Sequence, residues 1–94
     1  MRLIWAHGAE ENIQAIVDYI AQDSVNAALD MEDRIRACVA RLMDMPRSGR
    51  IGSEPGTYEL VIPRTPYIAI YQVTDLVEVL RVLHGAQQWP PSTQ

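Results

Sequence analysis

Lysine and phenylalanine are absent from this 94-residue chain, and cysteine occurs once, as Cys38. A single cysteine excludes an internal disulfide, so the fold rests on packing alone, as suits a reducing cytosol. With no lysine, all eight basic residues are arginine; they face twelve acidic ones, for a formal net charge of −4. Nucleic-acid binders draw most of their affinity from an excess of basic charge on phosphates. The balance here speaks against direct RNA or DNA binding, unless Arg47, Arg50, Arg64 and Arg81 form a local cluster. No apolar run approaches the roughly 20 residues that cross a bilayer. The opening MRLIWAHGAEEN lacks the apolar core and cleavage site of a secretion signal. A cytoplasmic location without membrane contact is expected.

Recognisable catalytic and cofactor motifs are also missing. His7 and His84 lie far apart and neither has a cysteine or histidine at metal-ligand spacing. The glycines never fall into a phosphate-binding or dinucleotide pattern. Ser48, His84 and Asp75 have no nucleophile-elbow context that would make them a triad. No metal and no cofactor are expected.

What is present is 48% hydrophobic residues, enough for one globular domain, assigned to residues 1–90 with a short tail over 91–94. Three apolar runs, Tyr58–Ile62, Tyr67–Val73 and Leu76–His84, have the length and β-branched content of strands. Pro63-Arg64-Thr65-Pro66 and Thr74-Asp75 are too short to join them except as antiparallel hairpins. The last run is apolar at both parities, with Leu76, Leu80 and Val82 on one and Val77, Val79 and Leu83 on the other. Such a strand is expected to be covered on both faces. Arg2–Ala6 reads as a short opening strand.

A helix is expected from Ala9, with Glu10 and Glu11 suited to its positive end. Ile13, Ile16, Val17, Ile20 and Ala21 form its apolar face. Asp23-Ser24 breaks it and can cap a second helix, which runs from about Val25 to Met43. The stripe of that helix is Ala28, Met31, Ile35, Cys38, Leu42 and Met45, with outward pairs Asp30→Arg34 and Glu32→Arg36. Cys38 in the stripe reads as a core hydrophobe. Pro46 stops the helix, and PRSGRIGSEPG (46–56) reads as a mobile surface loop. The fold class is α+β in the order β-α-α-β-β-β: a small, mainly antiparallel sheet with a helical hairpin on one face.

A few residues stand out. His84 could act as a general acid or base, or simply end the last strand before Gly85. Arg64 is exposed between two prolines. Arg81, amid Leu80 and Val82, is expected to reach a carboxylate such as Glu59 or Glu78, or to lie on a face that receives a partner. Trp89 closes the fold with a large aromatic.

The order of elements and several short motifs together resemble a known family. They are Trp5 after a short strand, Asp18-Tyr19-Ile20, Gly49-Arg50, Glu59-Leu60-Val61-Ile62, Tyr67-Ile68-x-x-Tyr71 and Arg81-Val82-Leu83-His84-Gly85-Ala86. From Leu3 to Pro90 the chain resembles the ParE branch of the RelE/ParE toxin superfamily of type II toxin–antitoxin modules. The resemblance implies a cytosolic toxin held inactive in a hetero-oligomer with a ParD-like antitoxin, which alone contacts DNA. It also implies action on DNA gyrase by binding, whereas RelE-type members cleave mRNA on the ribosome. Ile68 and Gln87 stand where RelE-type ribonucleases carry arginine, and Tyr58 and Gln87 where ParE-like chains often do. On this basis Arg50, Arg64, His84, Gln87 and Trp89 are expected to contact the target, and Tyr58, Ile68, Ile70 and Arg81 the antitoxin. The alternatives are a ribosome-dependent endoribonuclease using His84 and Arg81, and a member that binds its antitoxin without being toxic.

Overall fold

The computed structural model describes residues 1–85. Strand β1 (Leu3–Trp5) leads into helices α1 (His7–Ala21) and α2 (Val25–Ala40), and α2 tightens into a 3-10 turn at Arg41–Met43. Strands β2 (Arg50–Ile51), β3 (Thr57–Val61), β4 (Tyr67–Val73) and β5 (Val77–His84) follow. The sheet order is β1-β5-β4-β3-β2. β1 runs parallel to β5, and every other pair is antiparallel. The expected α+β architecture stands, with one strand more than the sequence pattern shows.

That strand corrects the reading of residues 46–56 as a mobile loop. Arg50 and Ile51 pair with Glu59 and Tyr58. The Gly49 amide donates to the Tyr71 hydroxyl at 3.0 Å, and the Gly52 amide to the Thr57 carbonyl at 2.8 Å. Gly49 has no room for a side chain: a Cβ there would lie 2.7 Å from the Tyr71 hydroxyl and 2.8 Å from the Glu59 carbonyl. The glycines that read as flexibility here permit close packing instead.

The helices follow their local signals. Ser24 is extended and its Oγ accepts from the Ala27 amide at 3.1 Å, which caps α2. α1 begins two residues before Ala9, because the extended Ala6 is pinned to β5 through its amide and the Val79 carbonyl at 2.9 Å. The core gathers Ala9 and Ile13 of α1, Ile35, Val39 and Leu42 from α2 and its 3-10 turn, and Ala69, Tyr71, Val77, Val79 and Val82 of the sheet. Val39 joins the α2 stripe, whereas Met45 is 64% exposed. A 3-10 turn advances three residues per turn instead of 3.6, so it rotates Met45 off the stripe. Of the two outward pairs, Glu32–Arg36 forms at 2.9 Å. Arg36 also reaches Glu10 at 2.7 Å and lies over the Trp5 ring at 4.9 Å, tying β1, α1 and α2 together. Its guanidinium pKa is raised, first by the Glu10 hydrogen bond, so it stays charged. The Asp30–Arg34 pair does not form.

The doubly apolar β5 has a different cause from the one its pattern suggests. Tyr71 pairs with Val79 and Ile70 with Arg81, which leaves Leu80 as an extra residue. This bulge resets the alternation, so Val77, Val79 and Val82 all join the core beneath the helices. Beyond the short β1, the Val82 amide would be an open edge donor; Asn12 Oδ1 accepts from it at 2.9 Å. The pattern therefore does not by itself demand a second cover. The face away from the helices nevertheless carries Glu59 and Val61 of β3, Ile68 and Ile70 of β4, and Leu83 of β5, matched by register.

Candidate functional site

The face away from the helices is hollowed into a pocket of about 230 Å³ lined by Arg50, Ser53, Glu59, Ile68, Ile70, Leu83, His84 and Gly85, with Ile70 buried at its base. Its floor follows from alternation: Ile68 and Ile70 point away from the helices because Ala69 and Tyr71 point toward them. Leu83 stands beside Ile68 across the β4–β5 ladder. Glu59 lies opposite both Ile70 and Arg50. Arg50 Nε donates to Glu59 Oε1 at 3.0 Å, and the pair places a half-exposed guanidinium over a carboxylate that is mostly covered. His84, exposed at the end of β5, forms the far rim, edge-on to Tyr67 at 6.1 Å.

The pocket depends on its neighbours for shape. Tyr71 stacks on Tyr58 at 5.4 Å and holds Gly49, one residue before Arg50. Burial, with a smaller contribution from Tyr58, raises the Tyr71 phenol pKa, against the opposing Gly49 hydrogen bond. The phenol is thus neutral and accepts the Gly49 amide across the whole neutral range. On the other side of His84 lies an apolar groove of about 460 Å³ lined by Ala15, Ile16, Tyr19, Pro66 and Tyr67. Burial, and secondarily Tyr19, raises the Tyr67 pKa.

Of the residues singled out in the sequence, Arg50, Ile68, Ile70 and His84 meet in this one pocket. The expected division into target contacts and antitoxin contacts is therefore not a division in space. Tyr58 lies on the opposite face, stacked on Tyr71 under the helices, because its parity is that of Leu60. Arg64 sits in the β3–β4 turn beside α2, near Arg34 and Arg41. Arg81 extends along the β5 edge: Nη1 donates to the Leu80 carbonyl at 2.7 Å, and the guanidinium occupies the space a Cβ on Gly8 would fill. Of its two proposed carboxylates, Glu59 is held by Arg50 and Glu78 accepts from Gln72 Nε2 at 2.8 Å. Gln87 and Trp89 lie outside the described residues. Sequence reasoning missed Ser53, and it missed Leu83 and Glu59 as lining residues. Counting register outward from the Pro63–Pro66 turn would have placed Glu59, opposite Ile70, whereas the bulge in β5 hides Leu83 from such a count.

Chemically the pocket offers one guanidinium already balanced by a carboxylate, one imidazole and an aliphatic floor. Among the described residues no three His, Cys, Asp or Glu side chains gather as a metal site would require. No helix among them is long and apolar enough to cross a membrane. This is a surface suited to receiving a mixed polar and apolar segment.

Known proteins place the architecture. A sequence profile described as "ParE toxin of type II toxin-antitoxin system, parDE" matches residues 3–89. "Putative toxin Y4kP" of Sinorhizobium fredii is 39% identical over 89 residues, covering 95% of this chain and 93% of that protein. "Toxin RelE2" of Caulobacter vibrioides is 33% identical over 87 residues, covering 92% and 97%. Among solved structures, the chromosomal ParDE system from P. aeruginosa superposes with a TM-score of 0.81 at 27% identity, over 89% of this chain and 95% of that one. A chain of the intact E. coli RelBE toxin–antitoxin complex shares the fold alone, with a TM-score of 0.63 at 17% identity over 86% and 92%. By profile, sequence and fold, the chain belongs to the ParE toxins of type II toxin–antitoxin systems.

Proposed function

We propose that this toxin acts by binding and not by catalysis, with DNA gyrase as its target and a ParD-like antitoxin as its stable partner. The observation that carries this reading is the pocket's composition: its floor is Ile68, Ile70 and Leu83, and its one guanidinium, Arg50, is spent on Glu59. Strand scission in RNA needs cationic or acid–base groups around the scissile phosphate. An isoleucine supplies neither. Each missing cationic contact costs about 3–4 kcal/mol of transition-state stabilisation, or about two to three decades in rate. The same apolar floor, with the Tyr19–Tyr67 groove on the other side of His84, suits a wrapping partner segment of alternating polar and apolar side chains.

A ribosome-dependent ribonuclease is the competing reading, favoured by the relative named "Toxin RelE2" and by the exposed His84 on the pocket rim. The two separate in a ribosome-containing translation reaction. The binding reading expects intact mRNA with wild-type protein and with His84→Gln alike. Codon-specific cuts that vanish in His84→Gln would move the toxin to the catalytic class.

A further inference from the structure

The second basic region lies away from the pocket, on the outer side of α2. Arg34, Ala37, Cys38 and Arg41 line one wall of a furrow of about 270 Å³, and Pro63 and Arg64 the other. It adjoins, along the shared Cys38, Arg41 and Pro63, a second section of about 250 Å³ lined also by Met45, Ser48, Leu60 and Val61. One end is cationic; the other is apolar, with Met45 64% exposed. The eleven steps from Arg34 to Met45 span about 16 Å at the helical rise, enough for about five residues of extended chain.

Two observations set this furrow apart from an ordinary solvated helix face. In a chain of net charge −4, its three arginines are exposed, and no carboxylate of the described residues lies within ion-pair distance of them. Asp30, four residues before Arg34, leaves it unpaired. Arg64 moreover adopts φ 61°, the left-handed region, where glycine or asparagine is cheaper by roughly 1 kcal/mol or more. A long cationic side chain is thus held where the backbone alone favours a small residue, in a furrow whose lining it shares with Arg34 and Arg41. Outliers of this kind cluster at binding sites.

We infer that this furrow docks a peptide segment whose carboxylates meet Arg34, Arg41 and Arg64 and whose apolar side chains follow onto Met45 and Leu60. The segment belongs to the antitoxin of the proposed function, and the inference rests on that reading. Charge complementarity selects the occupant: arginine forks pair with carboxylates, while the apolar half of the furrow has nothing to offer a nucleic-acid backbone. Cys38, on the shared wall, reports on occupancy. Its thiol pKa is raised by burial against the opposing effect of Arg41, so labelling is read at alkaline pH.

The test co-expresses the chain with the protein encoded by the adjacent reading frame and measures their dissociation constant at low and high salt. Arg34→Glu/Arg41→Glu/Arg64→Glu is expected to weaken the complex by roughly 10- to 100-fold near 50 mM salt, with a smaller gap near 500 mM. The milder Arg→Gln triple variant should shift in the same direction, and Arg47→Glu, outside the furrow, should not. Circular dichroism and Tm establish that each variant folds, and Cys38 alkylation should slow in the wild-type complex only. Unchanged affinity and unprotected Cys38 in a complex that still forms would overturn the furrow while leaving the antitoxin reading intact. Failure of wild type to bind would overturn both. Binding of a labelled RNA dodecamer that only the triple variants lose, with the protein complex unaffected, would assign the arginines to phosphate and overturn the peptide.

Discussion

Replacing Tyr71 by phenylalanine removes one oxygen from the protein and tests how the pocket is built. The ring is fully buried and stacked on Tyr58, and phenylalanine keeps both the volume and the stack. What goes is the acceptor of the Gly49 amide at 3.0 Å. That amide is partly buried, so water compensates incompletely, and the loss is about 1–2 kcal/mol. In a chain this size, 1 kcal/mol corresponds to roughly 4–8 °C in Tm. The change should also be local. Gly49 anchors the segment that delivers β2, so hydrogen exchange at Arg50 and Ile51 should accelerate more than at β4 and β5. With β2 loosened, Arg50 leaves Glu59 and the pocket loses its polar wall. An equal rise in exchange across the whole sheet, or none at Arg50 and Ile51, would refute the claim that the Tyr71 hydroxyl positions this strand.

Other perturbations follow from the same contacts. Asn12→Ala uncovers the Val82 amide at the β5 edge and should cost about 1–2 kcal/mol in denaturant unfolding, whereas Asn12→Asp, which keeps the acceptor, should cost less. Ser24→Ala removes the α2 cap and should cost about 1 kcal/mol. Both Tyr67 and Tyr71 have raised pKa values in the fold, chiefly from burial. Their neutral forms contribute stability that is complete below the unfolded value near 10 and is lost as pH rises through the folded values. Stability should therefore be flat around neutrality and fall above about pH 10, less steeply in Tyr71→Phe; a flat profile to pH 12 would contradict the burial.

Local chemistry made most of the framework legible. Ser24 capped the helix it should, the Pro63–Pro66 turn set the β3–β4 hairpin, and the i,i+4 spacing found Arg36 and Glu32. What failed was whatever depends on a single inserted residue or on tertiary contact. The Leu80 bulge makes two parities one, so alternation counted through β5 misassigns Val82 and gives a false reason for a second cover. Two strand residues inside a glycine-rich stretch carry no periodic signal; β2 exists because Tyr71, more than twenty positions later, accepts from Gly49. Tyr58 shares the parity of Leu60 and stacks on Tyr71 beneath the helices, a placement that the family pattern alone does not convey. The arginines of the α2 furrow are seven positions apart or in a distant turn, and only the fold brings them together.

The most direct test of binding-type toxicity is the conversion of relaxed plasmid to supercoiled plasmid by purified gyrase and ATP, titrated with this protein. Inhibition that saturates with toxin concentration, is relieved by the antitoxin and weakens in Arg50→Glu is the expected result. Full supercoiling at every toxin concentration, from protein that still arrests growth on induction, would contradict the claim and leave the target to be sought elsewhere.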